Sequence, residues 1–163
     1  MSKRVLVGYA TNLGSSVKVA EKIAEVLRER GFEADVRSLK ESAAIRGYDA
    51  AVLGSAINGG VWLPETLAYL QSNRESLSKI PVAVFSVHGM ALGDSEKETT
   101  RRLSYLDKVR QVIDPVAEGF FAGKMQEMNW LQAQAFKFFG GTVVEGDGRD
   151  YEKIAAWAKE LEI

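Results

Sequence analysis

Four short apolar runs, set far apart along the chain, limit how it can fold more than any other feature. They are Arg4-Val5-Leu6-Val7-Gly8-Tyr9, Ala50-Ala51-Val52-Leu53-Gly54-Ser55, Pro81-Val82-Ala83-Val84-Phe85-Ser86-Val87 and Val116 to Phe121. A strand with one wet face alternates apolar and polar residues, whereas a near-continuous run suits a parallel strand covered on both faces. A fifth segment, Phe32-Glu33-Ala34-Asp35-Val36-Arg37-Ser38, does alternate, as an edge strand would. Helical patterns lie between these runs. In Ser16 to Arg30, Val17, Ala20, Ile23, Ala24 and Leu27 recur at helical spacing, and Gly31 is a natural stop. Pro64 can occupy the first turn of a second helix, with Leu67, Leu70 and Leu77 on one side. Ser95 and Glu98 have capping-box spacing before a third helix expected to run to about Val112. Asp150 can cap the last helix, whose stripe is Ile154, Trp157, Ala158 and Leu161. Strand and helix alternate with short connections, so the expectation is right-handed crossovers and a doubly wound α/β sheet.

Composition narrows the function classes. The 163 residues are 46% hydrophobic and 26% charged, the balance of one soluble globular domain. No apolar run approaches the ~20 residues of a membrane span, and Met1-Ser2-Lys3-Arg4 leads straight into a strand, so no signal peptide is expected. The chain has no cysteine, which excludes disulfides and thiol chemistry and leaves the cytoplasm as the default compartment. A net charge of −1 without a basic block argues against nucleic acid, and a single histidine argues against a transition-metal site.

Ligands of open α/β sheets bind beyond the carboxyl ends of the strands, where strand order reverses. Three post-strand loops fall there: Ala10 to Ser16, Ala56 to Leu63 and His88 to Asp94. In the first, Thr11-Asn12-Leu13-Gly14-Ser15-Ser16 follows a strand and opens a helix. Its hydroxyls and the free N–H groups of the helix start can surround a phosphate, although Ser and Thr also serve as plain helix caps. The loop has no Lys or Arg, so backbone and hydroxyl donors would bind the anion alone. Gly-x-x-x-x-Gly-Lys-Ser/Thr and Gly-x-Gly-x-x-Gly are both missing, which disfavours a nucleotide-hydrolysing loop and a dinucleotide fold. A receiver domain would need an aspartate where Ser55 stands.

The segment Thr11 to Ser16 resembles the phosphate loop of flavodoxins, Ser/Thr-x-Thr-Gly-x-Thr, departing from it at Leu13 and Ser15. Within that superfamily, Gly54-Ser55-Ala56-Ile57-Asn58-Gly59-Gly60-Val61-Trp62 is similar to the second flavin loop of the flavodoxin-type, quinone-linked protoporphyrinogen dehydrogenases. Phe85-Ser86-Val87 resembles the strand before their third loop, and Gly140-Gly141 with Asp150, Trp157 and Ala158 their C-terminal segment. The resemblance implies a single flavodoxin-like domain over residues 1–163, with five parallel strands in the order 2-1-3-4-5 and helices on both faces. It implies FMN as cofactor. The phosphate would sit among Thr11, Asn12, Leu13, Gly14, Ser15 and Ser16. The ring would lie between Ala56, Ile57, Asn58, Gly59, Gly60 and Trp62 on one side and Val87, His88, Gly89 and Met90 on the other.

Several of these residues have two readings. Asn58-Gly59 is the candidate for the peptide flip by which flavodoxins bond the reduced flavin, or it is an ordinary Asn-Gly turn. Trp62 is either a ring stacked on the flavin or a core residue under the second helix. His88 either bonds the flavin and carries a proton or is merely solvated. Arg101, Arg102, Lys108 and Arg110 are interleaved with acidic residues and read as a solvated helix face. In Met125 to Phe139, the residues Met128, Leu131, Ala135 and Phe138 share one helical side, with Trp130 and Phe139 nearby. That helix either covers the sheet edge or offers a surface to an apolar partner such as a quinone, a porphyrin or another subunit. Lys124 and Lys137 are its only basic residues, which does not support strong attraction to anionic membranes. Two functions follow from the resemblance: an electron carrier serving a redox partner protein, or a dehydrogenase with a quinone as acceptor. A flavin-free domain that binds a partner is a third.

Overall fold

The structure is a computed structural model that describes residues 2–12, 14–41, 43–123, 131, 134–135, 138 and 150–163. Every long apolar run is a strand. In chain order the elements are β1 (Arg4–Ala10), α1 (Ser15–Glu29), β2 (Glu33–Ser38), a 3₁₀ turn (Leu39–Glu41), β3 (Ala50–Asn58), β4 (Val61–Trp62), α2 (Pro64–Ser72) and α3 (Arg74–Leu77). There follow β5 (Val82–His88), α4 (Glu96–Ser104), α5 (Asp107–Arg110), β6 (Ala117–Ala122) and a C-terminal helix, α6 (Tyr151–Glu160). The sheet runs β2-β1-β3-β5-β6 and every pair along it is parallel. Counting only these five strands, the order is the expected 2-1-3-4-5.

Burial explains why the runs are apolar throughout. Val5, Val7, Ala50, Val52, Ala83, Phe85 and Val87 join one core, packed against Val19, Ile23, Ile154 and Ala158 of α1 and α6. The intervening Leu6, Ala51, Leu53, Val82 and Val84 join a second core, with Leu70, Leu77, Leu106 and Val109 from the other face. Successive side chains alternate between two dry layers, so none can be polar without a partner. β2 has a neighbour on one side only and retains its wetter pattern. Arg30 joins the helices of the first face, donating to Ala158 O at 2.7 Å and Leu161 O at 2.8 Å and so capping the end of α6.

Three expectations need correction. The second helix breaks at Asn73 into α2 and α3, with Asn73 Nδ2 bonding Tyr69 O at 2.9 Å. The third breaks after Ser104, where a turn lets both Tyr105 and Leu106 bury. β4, a two-residue strand, pairs antiparallel with β3 and was too short to leave a periodic signal. Of the stripe in segment 125–139, the described members Leu131, Ala135 and Phe138 are all exposed, Leu131 by 70% and Phe138 by 86%, so their side chains do not cover the sheet. Met125, Met128, Trp130, Lys124, Lys137, Phe139, Gly140 and Gly141 lie outside the described residues. Among the described residues, no helix is long and apolar enough to cross a membrane.

Gly54 shows how tightly the strands approach. It pairs with Phe85, and a Cβ at position 54 would overlap the Phe85 ring. Gly54→Ala is therefore expected to destabilise the protein by about 1–3 kcal/mol through overpacking. The midpoint of urea unfolding checks this; an unchanged midpoint would mean that the ring has room to move.

Candidate functional site

Parallel pairing brings the strand ends to one edge. Ala10 is level with Ser55, Ala56 with Val87 and His88 with Ala122, so the loops that follow β1, β3, β5 and β6 are neighbours. In the first loop, Thr11 Oγ1 accepts from Gly14 N at 2.8 Å, and Gly14 takes φ 84° as the residue before α1. No side chain caps this helix and its first turn holds no acidic residue. The N–H groups of its start therefore face an exposed rim of Asn12 and Gly14. Ser16 is completely buried, and its Oγ finds no partner among the described residues. Leu13 lies outside the described residues. Gly123, just past β6, approaches this loop: a Cβ there would lie 3.3 Å from Ser15 Cβ and 3.0 Å from Val87 Cγ1.

The second loop is a hairpin. Ile57 pairs with Trp62 and Asn58 with Val61, leaving Gly59 and Gly60 at the tip with φ of 62° and 80°. Positive φ at both central residues is what a tight two-residue hairpin turn of the right twist demands, and it favours glycine. The tip is exposed, while its base is anchored: Leu63 N donates to Ser55 Oγ at 2.9 Å and Trp62 Nε1 to Ser86 Oγ at 2.8 Å. Trp62 is only 1% exposed, so it is the core residue of its two readings and presents no face for stacking. Ala56 and Ile57, half-buried, are the members of this loop that border the edge directly.

The third loop is built around His88. This residue is 5% exposed, its ring edge-on to Tyr105 at 5.3 Å and Phe120 at 6.3 Å. Its Nδ1 lies 2.6 Å from Met90 O; since a carbonyl only accepts, the proton is assigned to Nδ1. Nε2 is then a buried acceptor without a partner among the described residues. Burial pushes the His88 pKa down to about 4, against the Met90 bond, and the positive charges of Arg102 and Lys153 push the same way as burial. The solvated reading fails. Gly89 and Met90 are half-buried, and Ala91 adopts φ 56°, the one positive value of a non-glycine among the described residues. A small cavity of about 210 Å³ beside His88 is bounded by Leu92, Arg102, Phe120 and Lys153.

Thus all three expected loops converge, with Trp62 turned inward as the exception. Ser55, Ser86, Glu98, Arg102 and Gly123 support them and were not singled out from the sequence as site residues. A hydroxyl within an apolar run was the available signal for Ser55 and Ser86.

The family model described as a flavodoxin domain matches residues 6–147. This chain belongs to the flavodoxin-domain family. It is 28% identical to the protoporphyrinogen IX dehydrogenase (quinone) of Escherichia coli, over 97% of this chain and 94% of that protein. Among solved structures it is similar to a Fusobacterium nucleatum flavodoxin bound to flavin mononucleotide, with a TM-score of 0.56 at 15% identity over 97% of this chain and 96% of the other. It also matches the flavodiiron protein of Giardia intestinalis, with a TM-score of 0.52 at 18% identity, but spans only 38% of that chain. At these identities the structural likenesses establish a shared flavodoxin-like fold.

The buried histidine makes a pH prediction. Its folded pKa is below its unfolded value of 6.5, so the unfolded chain binds the extra proton first. The stability this neutral ring allows is fully present above pH 6.5 and is lost as pH falls toward about 4. Between pH 8 and pH 5 the loss is expected to reach about 2 kcal/mol in urea unfolding, and to be largely missing in His88→Gln. Equal pH dependence in both proteins would contradict the assignment.

Proposed function

We propose that this flavodoxin-domain chain binds FMN at the shared strand edge and uses it to transfer electrons. The observation that carries the reading is the start of α1, whose cap residue Gly14 offers no side chain, beside the buried hydroxyl of Ser16, which finds no partner among the described residues. A phosphate supplies acceptors and a charge that the helix dipole favours. Thr11, Asn12, Leu13, Gly14, Ser15 and Ser16 would hold it. Ala56, Ile57, Asn58, Gly59 and Gly60 would flank the ring on one side, and Val87, His88, Gly89 and Met90 on the other. When bound, the flavin supplies one- and two-electron redox chemistry, while the protein positions and tunes it. The exposed Gly59–Gly60 tip can reorient its peptides with little steric cost. His88, neutral near pH 7, keeps its proton on Nδ1 for Met90 and is poorly suited to shuttle protons there.

The electron acceptor divides the proposal. A carrier would pass electrons to a redox partner protein. A quinone-linked dehydrogenase is the second reading, favoured by the 28% identity over almost the whole of both chains and by the exposed Leu131 and Phe138. Anaerobic titration of the FMN-loaded protein with dithionite, followed by a soluble quinone, separates them. Two separate one-electron stages and slow quinone reoxidation fit the carrier. Direct two-electron reduction with rapid quinone reoxidation fits the dehydrogenase. A protein that takes up no FMN contradicts both. For the phosphate assignment, Ser16→Val is expected to weaken FMN binding about tenfold while leaving riboflavin affinity nearly unchanged, since one hydrogen bond to a charged group is lost. Equal losses for the two ligands would contradict it.

A further inference from the structure

The side chain that makes two of the bonds holding the third loop from below is Arg102, on the helix face that the charge pattern presented as merely solvated. Its Nη1 donates to Ala91 O at 2.7 Å and to Gly93 O at 2.8 Å, and its Nη2 reaches Thr99 Oγ1 at 3.3 Å. Glu98, one turn earlier, works with it: Oε1 accepts from Gly93 N at 3.2 Å and Oε2 from Ser95 Oγ at 3.0 Å. With Met90 O bonded to His88, the carbonyls of Met90, Ala91 and Gly93 are all drawn toward His88 and α4.

A trans peptide points its N–H opposite to its C=O. Turning Met90 O and Ala91 O inward therefore turns the N–H groups of Ala91 and Leu92 away from His88 and Arg102. Neither amide has a hydrogen-bond partner among the described residues. In this arrangement Ala91 sits in the left-handed region, at φ 56°, a conformation that L-residues disfavour. Ala91 is 1% exposed, so water does not hold it there; the Arg102 bond to its carbonyl does. Strain kept by a dedicated side chain at a loop of the candidate site points to a function for the strained shape.

We propose that Arg102 is a positioning residue for the cofactor: it locks Ala91 in its left-handed conformation so that the third loop presents the amide of half-buried Leu92, not a carbonyl, to the ring. The proposal rests on the FMN reading above. A planar guanidinium suits the task because two of its N–H directions reach two carbonyls at once, which an ammonium on a flexible stem does less well.

The test is a double-mutant cycle on FMN affinity, measured by fluorescence quenching of added FMN. Arg102→Met should weaken FMN binding about tenfold, the cost of freeing two charge-assisted bonds to the loop. Glycine adopts the left-handed conformation without penalty, so in an Ala91→Gly background the same change should cost only about threefold. Arg102→Lys, the variant to use if Arg102→Met does not fold, should lose several-fold. A role of Arg102 confined to helix packing would lower thermal stability and give additive effects in the cycle. Additive effects, or wild-type affinity in Arg102→Met or Arg102→Lys, would overturn the proposal and leave the FMN reading intact. Failure of the wild-type protein to bind FMN would remove both.

Discussion

Parallel pairing between strands buried on both faces is the constraint on which the other features depend. Because β1, β3, β5 and β6 run the same way, each must return through a helix, and all of their carboxyl ends fall on one edge. Loops distant in sequence then meet without any long-range design of their own. The register decides how they meet: Ala56 beside Val87 and His88 beside Ala122 set the second and third loops next to each other and to Gly123. The opposite edge has a different character. There Arg4 N bonds Asp49 at 2.8 Å while Asp35 accepts from Tyr48 at 2.8 Å and from Arg4 at 3.2 Å, a set of polar groups satisfied internally.

The two edges differ in what they leave unpaired. At the carboxyl edge Gly14 gives α1 no side-chain cap, Ser16 Oγ has no partner among the described residues and the amide of Leu92 points away from its support. A folded chain that buries donors without acceptors is less stable than it need be, and an anionic, acceptor-rich ligand would relieve the deficit. The supporting interactions are the reverse, fully made and buried, as in the Trp62 to Ser86 bond and the Leu63 to Ser55 bond. Rigid bases beneath open tips suit a site that must hold a large planar group in a fixed orientation.

Much of this was legible in the chain itself. The strands could be read because burial on two faces removes polar residues from them, and the first loop because the chain changes abruptly there from an apolar run to small polar residues that open a helix. The turn at Gly59–Gly60 was legible as a turn. Less legible were features decided by tertiary packing. Trp62 looks the same in sequence whether it stacks on a ligand or fills a core; its burial, with the Ser86 hydroxyl opposite its indole N–H, decides between them. Arg102 sits among charges of both signs that mark an exposed helix, yet its length lets it fold under a loop nine to eleven residues earlier in the chain. The depressed pKa of His88 depends on Tyr105 and Phe120, which no local pattern connects to it.

The central claim is that the loops at the carboxyl edge form one FMN site. Backbone amide chemical shifts recorded while FMN is added to the isotopically labelled protein test it most directly. The account predicts changes grouped in residues 11–18, 56–62 and 88–93, with Arg4 and Asp49 at the opposite edge unmoved. Shifts centred elsewhere, or none at all at saturating FMN, would contradict it.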